Sequence, residues 1–180
     1  MQPPLVLLDV DGVINDIHGI GAKTSDWDTD IVKSHGFRVR IPSYMPGLIQ
    51  SINRVAEIQW CTAWRNHAND EIAQHLGIGP LAVIDDGSTN RTPDWKAAAA
   101  RHVVEQALKN GRPVLWIEDF YGNLPSEKMP PGTQFVDTTA DRPGALLLPS
   151  DLPWWLSDLI QLELSDPLTL GDLLQGGELQ

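Results

Sequence analysis

Five short strand-like runs, set apart by segments with helical spacing, constrain this chain more than any other feature. Residues 3–8, PPLVLL, read as a buried first strand that ends in the turn DVDG. Further runs follow at Glu57 to Cys61, at residues 81–84 (LAVI), 113–117 (PVLWI) and 133–137 (TQFVD). Between the first two, Pro46 suits the first position of a helix that carries Leu48, Ile49, Ile52 and Val55 at helical spacing. Asn66 or Asn69 can cap a second helix with Ala68, Ile72, Ala73 and Leu76, and Gly77 fits just beyond its end. Thr92-Pro93 opens an Ala-rich helix over about 93–109, which Asn110-Gly111 stops, and one more helix fits around Trp154 to Leu162. Strands that alternate with helices in this way predict an α/β, doubly wound domain: a parallel sheet covered on both faces and joined by right-handed crossovers.

The length of 180 residues suits one domain at roughly 100–200 residues each. We expect it over 1–164, with an acidic, Leu- and Gly-rich tail over 165–180. Residues 13–45 break the alternation and read as an inserted flap, with a hairpin arm at Phe37 to Ile41. No apolar run approaches the roughly 20 residues that a membrane span needs, so no membrane partner is expected. The lone Cys61 has no thiol in the chain to pair with, which is compatible with a cytoplasmic setting. Net charge is −11. Residues 113–180 hold 11 acids and 2 bases, net −9, which leaves −2 for residues 1–112. Without an overall basic field, a general nucleic-acid binder is disfavoured, whereas a small anionic substrate stays open.

In an open parallel sheet the ligand site lies beyond the carboxyl ends of the strands. Asp9 and Asp11 stand there, one residue apart, where two carboxylates can share a divalent cation, and Gly12 lets the backbone turn sharply. Calcium-loop chemistry fits neither this run nor Asp26, Asp28 and Asp30, because the glycine of loop position six is Ile14 in one and Ile31 in the other. The second run reads as a solvated flap face.

DVDGV after an N-terminal strand resembles the first motif of the haloacid dehalogenase superfamily of phosphohydrolases. The family's other motifs follow in order over roughly residues 5–140. EIQWCTAW supplies Thr62, TPDWKAAAA supplies Lys96, and PVLWIED supplies Glu118 and Asp119. Lys96 falls in the first turn of its helix, where the macrodipole disfavours a cation, and a broken local rule of that kind is expected where function holds the residue. Asp85-Asp86 is a rival acidic pair, but it precedes Lys96 and sits on a strand further from the first, so it reads as a turn or cap.

The resemblance implies a capless, flap-only phosphatase that needs Mg2+ and acts on a small phosphorylated metabolite. In it Asp9 is the nucleophile, Asp11 the general acid and base, and Thr62 and Lys96 orient the phosphoryl oxygens. Asp9, the Asp11 carbonyl and the acidic pair hold the metal, with Asp119 preferred over Glu118 because the family's pair is most often Asp-Asp. A non-catalytic module of the same fold and a phosphotransferase are the alternatives. Trp64, Arg65 and His67, after Thr62, are candidate substrate contacts, Arg65 for an anion and Trp64 for a ring. Arg38 and Arg40, which with Lys33 and His35 make the flap locally basic, are further candidate substrate contacts. Trp154-Trp155 could cover a homo-oligomer contact or a hydrophobic floor.

Overall fold

The computed structural model describes residues 2–17, 28–85, 87, 94–139 and 146–165. Asp26, Trp27, Asp86, Thr92 and the expected tail from 166 on lie outside the described residues, and so do the expectations about them. Five parallel strands form the main sheet: β1 (Leu5–Leu8), β4 (Glu57–Trp60), β5 (Ala82–Val83), β6 (Val114–Glu118) and β7 (Thr133–Asp137). A hairpin of β2 (Thr29–Ser34) and β3 (Phe37–Pro42) makes a separate two-stranded sheet. The helices are α1 (Met45–Val55), α2 (Glu71–Leu76), α3 (Trp95–Lys109) and α4 (Trp154–Ser165), with short 3-10 segments at Arg65–Asn69 and Pro149–Asp151.

The main sheet runs β5-β4-β1-β6-β7. β1 is central, pairing with β4 on one side and β6 on the other, and all four of its side chains are buried. Alternation sends Val6 and Leu8 into one core with Ile49 and Ile52 of α1, Ile72 and Leu76 of α2, and Leu156 and Ile160 of α4. Leu5 and Leu7 face the other core, made by Ala97, Ala100, Val104 and Ala107 of α3 with Val114 and Trp116 of β6. Both faces are therefore covered, as the doubly wound expectation requires. Among the described residues no helix is long and apolar enough to cross a membrane.

Three local departures have identifiable causes. β5 is two residues long rather than four, because the Leu81 N–H is taken by Asn69 Oδ1 at 2.8 Å instead of joining the ladder. Asn69 does not cap a helix. Its amide also accepts from Trp60 Nε1 and donates to the Leu81 carbonyl, so it staples β4 to β5, and α2 starts only at Glu71 with Asp70 at its N-cap. The hairpin, in turn, is more than a surface flap: Val39 and Ile41 are fully buried in the α1 core. Asp28 and Asp30 are exposed, in keeping with a solvated face.

Candidate active site

Strand order reverses between β1 and β6, the point in a doubly wound sheet where a crevice opens beyond the strand ends. Asp9 follows β1 directly and is only 4% exposed. Lys96 reaches it from the first turn of α3, with Nζ 3.0 Å from Asp9 Oδ2, and also hydrogen-bonds Glu118 Oε1 at the end of β6. Trp116 Nε1, two residues back on the same side of β6, donates to the other Glu118 oxygen at 2.9 Å. Both Glu118 oxygens are thus engaged by protein donors. The two anions also resolve the local rule that Lys96 breaks, because their field at close range outweighs the helix end.

The electrostatics follow from crowding three carboxylates around one ammonium. Burial first, then the Asp9 charge, push Glu118 up to about 7 even though Lys96 and Trp116 pull it down. The same two causes raise Asp119 to about 6. Burial would lower Lys96, but Asp9 and Glu118 more than offset it and hold the amine firmly protonated.

The turn after β1 is fixed by its backbone. The Val10 carbonyl accepts N–H bonds from Val13, Ile14 and Asn15 at 3.3, 2.9 and 2.8 Å. Gly12 takes φ +72°, and a Cβ there would lie 2.6 Å from Asp119 Cγ, so the position needs glycine both for its conformation and for the approach of Asp119. Asp11 is held at both oxygens: Asn15 Nδ2 donates to Oδ1 at 2.7 Å and Trp64 Nε1 to Oδ2 at 3.0 Å. Asn15 in turn accepts the Arg40 backbone N–H at 2.8 Å, which ties the turn to the hairpin. The Thr138 hydroxyl, past β7, donates to the Gly12 carbonyl at 2.8 Å.

The remaining expected residues divide. Thr62 lies beyond β4, fully buried, and its hydroxyl oxygen accepts the Trp64 N–H at 3.3 Å. A cavity of about 450 Å3 opens beside Asp11, walled by Trp64, His67, Arg38, His35 and Phe37. Trp64 therefore serves Asp11 as well as the wall. Arg65 turns away: at φ +52° its guanidinium lies 5.5 Å from the Trp95 ring centre and 3.4 Å from Asp85 Oδ1. Arg40 is directed to Asp16 at 3.9 Å rather than to the cavity. Asp85 accepts the Gly87 N–H at 3.0 Å, a turn role. Sequence reasoning missed Asn15 and Trp116 altogether. Each carried a signal: Asn15 is four residues past Asp11, and Trp116 shares the strand face of Glu118.

Asp9, Glu118 and Asp119 place one carboxylate oxygen each within 4.8 Å of one another. An all-oxygen donor set suits a hard cation such as Mg2+. With Glu118 engaged by Lys96 and Trp116, Asp9 and Asp119 are the better-placed ligands. A dication between them would also relieve the repulsion that raises Asp119. No protein-family model and no curated protein match the chain. Among solved structures, a hypothetical protein of Xanthomonas campestris is similar at a TM-score of 0.38 and 18% identity, over 87% of this chain and 69% of that one.

Proposed function

We propose that the chain is a Mg2+-dependent phosphatase of the haloacid dehalogenase type, acting on a small phosphorylated metabolite through an aspartyl-phosphate. The observation that carries this reading is the buried Asp9 at the end of β1 with the Lys96 ammonium 3.0 Å away, next to an Asp11 held at both oxygens. An Asp9 oxygen attacks phosphorus and the ester oxygen leaves with a proton from Asp11. Water, deprotonated by Asp11, then attacks the acyl-phosphate to release inorganic phosphate, which restores the Asp9 carboxylate and the protonated Asp11. Lys96 and the Thr62 hydroxyl orient the phosphoryl oxygens. Mg2+, held by Asp9 and Asp119, supplies positive charge where a carboxylate meets an anionic substrate. The cytoplasm is the compartment we propose, since the single buried Cys61 forms no disulfide within the chain.

The test is phosphate release across a metabolite panel with Mg2+, for wild type and Asp9→Asn. Hydrolysis by wild type and none by Asp9→Asn is expected. Turnover retained by the variant overturns the nucleophile, and a wild type inert toward every phosphomonoester overturns the enzyme in favour of a binding module.

A further inference from the structure

On the far wall of the cavity, three elements bring ligand-type side chains to one point. His35 comes from the β2–β3 turn, His67 from the 3-10 helix after β4, and Asp70 from the N-cap of α2, and their ligand atoms lie within 4.8 Å of one another. Both imidazoles face the same oxygen: His35 Nε2 is 2.7 Å and His67 Nδ1 3.7 Å from Asp70 Oδ2, with ring centres 3.9 Å apart. Glu71 Oε2, fixed by the Ser34 hydroxyl at 2.8 Å, stands 3.9 Å from His35 Nε2 as a further anionic oxygen. All three side chains are partly open to solvent, so an ion has a way in.

The backbone fixes where His35 stands. Ser34 pairs with Phe37, so the loop has two residues, and φ is +47° at His35 and +84° at Gly36. Positive φ at both central positions is the type I′ hairpin, where Asn or Asp is favoured first and His is among the side chains that accept a left-handed φ. The turn aims the His35 ring at a second histidine and a carboxylate.

We propose that His35, His67 and Asp70 form a binding site for a divalent transition-metal ion of the zinc class, which clips the hairpin to the α2 end of the core and sets the cavity wall. Two neutral imidazoles and one carboxylate match the three-ligand zinc pattern with a fourth position left to water. Nitrogen donors favour such an ion over Mg2+, whereas the oxygen-only group at Asp9 and Asp119 has the opposite preference, so the two sites sort different metals. Two protonated imidazoles at this separation would repel, while one dication uses all three lone pairs at once. The site does not depend on phosphatase chemistry.

The experiment is calorimetric titration of the metal-free full chain with Zn2+ in excess Mg2+, which occupies the oxygen site, with Co2+ absorption as a second readout. Wild type is expected to take up one equivalent of Zn2+, melt at a higher temperature with it, and give the intense visible bands of low-coordinate Co2+. His35→Asn keeps the turn chemistry and removes the ring; Asp70→Asn keeps the size of the side chain at the N-cap and removes the charge. Each should weaken Zn2+ binding by more than the roughly 10–100-fold that follows loss of an outer-shell partner. No Zn2+ uptake by wild type overturns the proposal, as does uptake that survives unchanged in both folded variants. None of these readouts uses catalysis, so an inactive enzyme would leave them intact.

Discussion

Replacing Gly12 by Ala probes how closely Asp119 is fitted to the turn after β1. The left-handed φ of +72° costs an L-residue about 1–2 kcal/mol, of which the stiffer unfolded chain returns roughly 0.4–1 kcal/mol. The new methyl would also lie 2.6 and 2.7 Å from Asp119 Cγ and Cβ, inside any real contact, so the carboxylate must move, at an overpacking cost of about 1–3 kcal/mol. The sum is roughly 1–5 kcal/mol, or a melting temperature lower by roughly 2–18 °C for a chain of this size. Gly111 supplies the control, since at φ +69° a Cβ meets nothing within 4 Å and Gly111→Ala bears the backbone cost alone. Thermal melts of both variants, with Mg2+ titrations of p-nitrophenyl phosphate hydrolysis, separate the two contributions. Gly12→Ala should also need far more Mg2+ for half-maximal activity, and Gly111→Ala should not. Equal melting shifts and unchanged Mg2+ dependence would show that Asp119 does not need its place against the turn.

Trp64→Phe removes one donor to Asp11 while keeping an aromatic ring, and kcat should fall by roughly 10–100-fold, the worth of a charge-assisted bond of about 1.5–3 kcal/mol. Stopped-flow kinetics with p-nitrophenyl phosphate measure it. Asp119→Ala should weaken Mg2+ activation more than Asp85→Ala, whose carboxylate is paired with Arg65 instead; the reverse ranking in Mg2+ titrations would move the metal to β5. Arg38→Ala should reorder a substrate panel more than Arg40→Ala does, because only the former lines the cavity. In EDTA, stability should fall as pH rises through the window from about 4 to 7. Glu118 and Asp119 there hold protons that the unfolded chain has given up, whereas the lowered Glu57, Glu71 and Asp137 act at more acidic pH. Urea midpoints at pH 5 and pH 7.5 check the sign, and excess Mg2+ should flatten the slope.

How far each part was legible depended on whether its cause was local. β1 and its acidic turn could be read because a continuous apolar run followed by Asp and Gly admits few other structures. Lys96 stood out because it violates helix-end electrostatics, and the structure shows the Asp9 and Glu118 charges that offset the violation. β5 and the start of α2 depart from what the spacing predicts for one reason. The side chain of Asn69 bonds across to Trp60 and Leu81, and no spacing rule carries information about such a cross-link. The place of Arg65 after Thr62 predicts an anion contact, but its left-handed backbone swings it onto Trp95 instead. That conformation is set by tertiary contacts, not by the residue type.

The position of Asp11 gives the site a direction. Lys96, Glu118 and Asp119 surround Asp9 on the α3 and β6 side, whereas Asp11 faces the hairpin and shares the cavity wall with Trp64, Phe37 and His67. In the proposed mechanism a general acid must lie within hydrogen-bond reach of the oxygen it protonates, which would put the leaving group on the Asp11 side and the phosphoryl oxygens on the Lys96 side. Substrate choice then falls to the hairpin and to the loop after β4, the two segments that the proposed His35, His67 and Asp70 clip would join. Asn15 couples these halves, since one side chain holds Asp11 and receives the Arg40 N–H of β3. In the proposed mechanism a shift of the hairpin would thereby shift the acid, which would tie substrate selection to the first chemical step.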